Sequence, residues 1–138
     1  MNLCIRCGKL RKKYTSKYCS NRCQVDHQYE RYISAWKKGK KDGNRGVIAK
    51  NISRHLLRFL LEKYVEECSQ CAWGQKNPKT NRVPLEIDHI DGNADNNLES
   101  NLRLLCPNCH ALTPSFRNLN KGKGRGWRNN YLKGRRVL

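Results

Sequence analysis

Asp88, His89, Asn101 and His110 are the residues whose types and order could do chemistry together. Hydrolysis of a phosphodiester needs an activated water, neutralisation of the charge that builds on phosphorus, and help for the departing 3′ oxygen. One divalent ion can serve the last two needs. A hard carboxylate oxygen plus an imidazole, with coordination positions left open, suits such an ion, and Asp88 and His110 are donors of those types. Asp88 and His89 are neighbours at the end of a short apolar run. Neighbours on a strand point to opposite faces, so the two cannot easily hold one ion. One is left to take a proton from water, and a neutral imidazole is a fitting general base at physiological pH.

The eight cysteines form four close pairs: Cys4/Cys7, Cys19/Cys23, Cys68/Cys71 and Cys106/Cys109. The N-terminus MNLCIRCGK has no apolar signal region, so a reducing, cytoplasmic setting with free thiols is expected. Short knuckles let two thiolates reach one ion, and two knuckles complete a tetrahedral site. Two structural zinc ions follow, one held by Cys4, Cys7, Cys19 and Cys23, the other by Cys68, Cys71, Cys106 and Cys109. Four cysteines leave no vacancy for His27 or for His110. Gly8 follows the first knuckle, where a tight turn is useful, while Ala72 stands at the corresponding place after the second.

The formal charge is +18, from 29 Lys and Arg against 11 Asp and Glu. Such an excess implies a polyanionic partner, and double-stranded DNA is the expected one. No basic amphipathic helix with a broad aromatic face favours a membrane surface, and no apolar run approaches a membrane span. The candidate phosphate contacts are Arg11, Lys12 and Lys13 in the first module, then Lys37, Lys38, Lys40 and Lys41. Arg117, Lys121, Lys123, Arg125 and Arg128 follow near the C-terminus, interleaved with Trp127.

These residues need elements to position them. The organisation expected is a zinc-binding module at 1–36, a basic glycine-containing linker at 37–52, a central domain at 53–116 and a basic DNA-contacting tail at 117–138. Helical character runs from Asp26 to about Trp36. A second helix is expected over 53–66, capped by Ser53, with Leu56, Leu57, Leu60, Leu61, Tyr64 and Val65 as its core stripe. A strand is expected at Val83–His89, a long turn through NADNN, and a returning strand at Leu102–Leu105. Pro107 then suits the first turn of a helix carrying His110.

The order Asp88-His89, Asn101, Cys106-x-x-Cys109-His110, with Cys68/Cys71 upstream, resembles the HNH nucleases of the ββα-metal type in their zinc-stapled phage form. That resemblance implies an α+β fold, a zinc-stapled ββα-metal module with a zinc finger before it and a basic arm after it. It makes His89 the general base. Asp88 and His110 become ligands of a catalytic Mg²⁺ or Mn²⁺, and Asn101 the residue that bridges the loop and orients the base's backbone. Asn96 and Asn97 are rivals for that middle position. The implied activity is metal-dependent DNA cleavage. With a single such set in the chain and no apolar stripe to spare for a dimer interface, nicking by a monomer is favoured over double-strand cleavage by a homodimer. The alternative is a catalytically silent zinc-finger protein that binds DNA or RNA, which has no need of Asp88, His89 and His110.

Overall fold

A computed structural model describes residues 2–46 and 51–120. The chain divides into two compact units, Met1–Lys41 and Asp42–Leu138. Lys121, Lys123, Arg125 and Arg128 lie outside the described residues. No helix among the described residues is long and apolar enough to cross a membrane.

In the first unit, Leu3 and Leu10 form an antiparallel bridge around the Cys4/Cys7 knuckle. Helix α1 spans Asn21–Lys37. It starts five residues before the apolar spacing alone would place it. The Ser20 side chain caps it by accepting from the Cys23 N–H at 3.2 Å, which sets Cys23 into the first turn. Cys23, Ile33 and Trp36 are buried on α1. Asp26 is buried too, with Arg6 at 3.2 Å and Arg22 at 3.8 Å, so its charge is matched.

In the second unit, α2 spans Arg54–Lys63, with the Ser53 hydroxyl accepting from the His55 N–H at 3.1 Å. The helix stops earlier than the expected 53–66. Tyr64 takes extended backbone angles, leaving its side chain 46% and that of Val65 72% exposed. The core stripe is therefore Leu56, Phe59 and Leu60. Strands β1 (Glu86–His89) and β2 (Leu102–Leu105) pair antiparallel, Glu86 opposite Leu105 and Asp88 opposite Arg103. β1 begins after Pro84, which has no N–H for a ladder; the Leu85 N–H instead turns back to the Val83 carbonyl. Helix α3 (Pro107–Ala111) opens on Cys106 as its cap and Pro107 in its first turn, and packs against both strands.

The fold is thus a small α+β arrangement with a two-stranded sheet. Leu56, Leu60 and Leu105 are the largest fully buried side chains, and Cys68, Cys106 and Leu105 form one cluster. So little apolar burial calls for covalent or metal staples in a unit of this size.

Candidate active site and zinc sites

The eight thiols gather into two groups of four, and within each group the sulfurs lie within 4.8 Å of one another. The sulfur separations include 3.5 Å for Cys7–Cys19 and Cys19–Cys23, 3.7 Å for Cys7–Cys23 and 3.8 Å for Cys71–Cys106. A tetrahedron with Zn–S bonds of about 2.3 Å has edges of about 3.8 Å, so both groups have the dimensions of a Cys4 zinc site. The spacing is too long for disulfides, and all eight cysteines are free thiols.

The electrostatics agree. In the first group, the Cys7 backbone N–H leads the interactions that hold Cys4 down to about 6, while hydrogen bonding to Cys23 and Cys7 pushes Cys19 up to about 12. In the second, burial raises Cys68, but the backbone N–H groups of Cys106, Cys71 and Gln70 outweigh it and bring it to about 6. Cys109 is pushed to about 12 by Cys71 and Cys106. In the first group Cys23 is lowered as well as Cys4, chiefly by hydrogen bonding with Cys19 and Ser20, and each group holds at least one thiol that is pushed up, so the four do not ionise together unaided. A divalent cation is what lets four thiolates coexist.

Both N-terminal knuckles use the same turn. The Gly8 N–H donates to the Cys4 carbonyl at 2.9 Å, and the Ala72 N–H donates to the Cys68 carbonyl at 2.8 Å. Both residues have positive φ, +71° for Gly8 and +60° for Ala72.

The sheet face under α3 carries the acid–imidazole set. Glu86 and Asp88 share that face by the two-residue period, and Arg103 lies opposite Asp88. Asp88 is 4% exposed. Its Oδ2 accepts from Arg103 Nε at 2.7 Å, while its Oδ1 lies 3.9 Å from His110 Nε2. The other ring nitrogen, His110 Nδ1, is hydrogen-bonded to Glu86 Oε2. A carboxylate only accepts, so Nδ1 bears a hydrogen, and in the neutral ring that leaves the Nε2 lone pair facing Asp88. Phe116 packs edge-on against the His110 ring, with centroids 5.2 Å apart. The 3.9 Å between these donors falls between the cis and trans spacings of an octahedral ion with bonds of about 2.1 Å, about 3.0 and 4.2 Å, so a small side-chain shift would bring Asp88 and His110, donors of the right types, onto one Mg²⁺-type ion.

His89 leaves β1 on the opposite face. Its Nε2 meets Asn97 Oδ1 at 2.8 Å. Asn101 does not touch the ring. Its Oδ1 accepts from the Asp91 N–H at 3.0 Å, its Nδ2 donates to Asp91 Oδ1 and the Asn96 carbonyl, both at 2.8 Å, and its carbonyl accepts from the Ile90 N–H at 2.9 Å. Asn101 therefore clamps the backbone just after His89. Asn96 donates to Asp91 Oδ2 at 2.7 Å. That bond, with further donors from Asn93 and Asn101, keeps the Asp91 carboxyl below its ordinary range.

The pattern of residue types does not single out Glu86 or Arg103. Glu86 could be found from its two-residue offset from Asp88, whereas Arg103 requires the strand register. Of the candidate phosphate contacts, Lys12 and Lys13 line a cavity of about 280 Å³ with Ser16, Tyr18, Cys19, Ser20 and Asn21. Arg11 is half-buried, with its guanidinium on the Ser16 carbonyl. Lys37, Lys38, Lys40 and Lys41 are exposed at and after the end of α1, and the Arg117 guanidinium stacks over Phe116 at 4.9 Å.

Residues 68–113 match the family of HNH endonucleases. The likeness is to the HNH module itself and covers a third of the chain. The matched HNH span takes in the second cysteine group, both strands and all four of Asp88, His89, Asn101 and His110. The H-N-H endonuclease F-TflIV of Escherichia phage T5 is 48% identical over 58 residues. That match covers 42% of this chain and 23% of the phage protein, so the chain spans about a quarter of the relative's length. No solved structure matches. The first cysteine group lies outside the HNH span.

Proposed function

We propose that this chain is a metal-dependent DNA endonuclease in which His89 is the general base. The observation that carries the reading is the placement of Asp88 Oδ1 and His110 Nε2 3.9 Å apart on one sheet face, with His89 on the other. An ion of the Mg²⁺ or Mn²⁺ type held by Asp88 and His110 would supply the positive charge that offsets the pentavalent phosphorus and the leaving 3′ oxygen.

The chain's own residues do the rest. His89 accepts a proton from a water, and the resulting hydroxide oxygen bonds to phosphorus as the bond to the 3′ oxygen breaks. Asn101 holds the Ile90–Asp91 backbone and so the end of the strand that carries His89. Arg103 keeps one oxygen of the buried Asp88 occupied, which leaves the other to face His110. Glu86 fixes the His110 tautomer. The two cysteine groups each take a structural zinc ion. The basic residues Arg11, Lys12, Lys13, Lys37, Lys38, Lys40, Lys41 and Arg117, with the tail cations, hold DNA phosphates.

One chain has one Asp88/His89/His110 set, so it cuts one strand at a time, and a monomer that nicks is the expected form. Supercoiled plasmid digested with Mg²⁺ or Mn²⁺ at limiting enzyme tests this. Nicked circles accumulating well before linear DNA support the reading. Uncut plasmid with either ion contradicts the nuclease, and direct linearisation by a protein that sediments as a dimer contradicts nicking.

A further inference from the structure

Asn97 has an unexpected neighbour. Its Nδ2 donates to the Asp42 carbonyl at 2.9 Å and to Asn44 Oδ1 at 3.2 Å. These partners come from a segment 53 to 55 positions upstream, in the stretch that reads as linker. We infer that residues 42–44 form a positioning strap that fixes the tautomer of His89; the inference rests on His89 being the base.

Hydrogen-bond polarity sets each group in the chain of contacts. The Asp42 carboxylate accepts only. Its Oδ2 takes a hydrogen bond from Asn44 Nδ2 at 3.0 Å, and its Oδ1 takes one from the Asn44 N–H at 2.9 Å. The Asn44 amide is thereby oriented, and Oδ1 is the end that meets Asn97. The Asn97 side chain must then present its NH2 group to Asn44. The Asp42 backbone carbonyl, also acceptor-only, demands the same of it independently. With its NH2 turned to the strap, Asn97 turns its oxygen to His89. A ring nitrogen facing that oxygen has to donate, so Nε2 bears the hydrogen and Nδ1 keeps the lone pair that can take a proton from water. One carboxylate and one carbonyl, through two amides, set which nitrogen of His89 is basic.

The strap is built to hold this arrangement. The Ser53 N–H donates to the Gly43 carbonyl at 2.8 Å, Asn44 bridges Ile52, and the Arg45 N–H donates to the Asn51 carbonyl at 2.6 Å. It is therefore tied to the start of α2. Asn97 is 5% exposed, so its amide must be matched inside the protein. Gly43 sits at φ +81°, and a Cβ there would fall 2.7 Å from Asn97 Cβ and 2.8 Å from Leu56 Cδ1. Only glycine lets the strap approach Asn97 this closely.

The test reads the tautomer directly. In zinc-loaded protein labelled with ¹⁵N at histidine, without DNA or Mg²⁺, the His89 nitrogen shifts are recorded at about pH 8, where a free imidazole is neutral. Wild type should show the Nε2–H form predominating. Asn44→Ala removes the strap's side-chain acceptor, and Gly43→Ala pushes the strap off Asn97. Gly43→Ala, which displaces the Asp42 carbonyl as well, should populate the Nδ1–H form; Asn44→Ala, which leaves that carbonyl in place, should do so to a smaller extent; zinc content should be unchanged in both. In plasmid nicking, Gly43→Ala should lower kcat by about tenfold or more and Asn44→Ala by less, both with KM and Mn²⁺ affinity near wild type, because only the orientation of the base is lost. A wild-type protein in the Nδ1–H form overturns the inference. So do two variants that keep both the wild-type tautomer ratio and kcat. Failure of the nuclease reading would look different: no cleavage by wild type, with the tautomer shift in the variants still supporting the strap.

Discussion

Glu86 and His110, twenty-four positions apart, are joined by a hydrogen bond between a carboxylate oxygen and imidazole Nδ1. The same strand thus presents Glu86 to one ring nitrogen and Asp88 to the other. Carboxylates behind metal-binding histidines typically change metal affinity by about 10- to 100-fold. Glu86→Ala should weaken Mn²⁺ binding by that order, read by Mn²⁺ paramagnetic resonance. Glu86→Gln keeps an acceptor and should retain most of the affinity. Equal affinity in wild type and Glu86→Ala would remove Glu86 from the site.

The two Cys4 groups should behave as separate staples. Zinc binding in small zinc peptides contributes about 10 to 16 kcal/mol, comparable to the roughly 5 to 15 kcal/mol stability of a whole domain. Cys68→Ser or Cys106→Ser should unfold the second unit and abolish nicking. Cys4→Ser should unfold the first unit and leave the amide spectrum of the second intact. Metal analysis should give two zinc ions per wild-type chain; a value near one would show that one group is not a zinc site.

Ala72 occupies the turn position that Gly8 fills in the other knuckle, at φ +60°. The left-handed conformation costs a residue with a Cβ about 1–2 kcal/mol, against about 0.5–1 kcal/mol for glycine's extra freedom when unfolded. Ala72→Gly should therefore stabilise the zinc-loaded second unit by about 0.5–1 kcal/mol. A Cβ on Gly8 meets nothing within 4 Å, so Gly8→Ala should show the opposite sign from backbone strain alone. Chemical denaturation with zinc in excess measures both.

Much of the site is legible in the sequence. Four cysteine pairs, an Asp-His step at a strand end and a Pro-led turn carrying His110 are local features, and local spacing places each of them. The strand expected from Val83 starts instead at Glu86, because Pro84 has no N–H for a ladder. Other features depend on distant contacts. Phe59 rather than Val65 completes the α2 stripe because the helix ends at Lys63 to enter the Cys68 knuckle. Arg103 reaches Asp88 only through the β1–β2 register. Asn96, Asn97 and Asn101 are alike in type, and only the folded loop separates Asn97, on the imidazole, from Asn101, on the backbone. No periodicity could connect Asp42 to Asn97.

The basic C-terminal residues give a prediction independent of the fold. Deleting residues 117–138 removes eight cations. For every phosphate that the shortened chain no longer neutralises, the logarithmic salt dependence of DNA affinity should flatten by about 0.9. Binding titrations across a salt series measure the slope, and an unchanged slope would show that the segment neutralises no phosphates.

The nuclease mechanism stands on His89 moving a proton and holding no metal. The decisive assay is His89→Ala under single-turnover conditions on plasmid with Mg²⁺. Cleavage should fall by about 10² to 10⁴, while zinc content, DNA affinity and Mn²⁺ binding stay near wild type. A variant that cuts within about tenfold of the parent, less than general-base catalysis is worth, or one that loses Mn²⁺ binding, would contradict that role for His89.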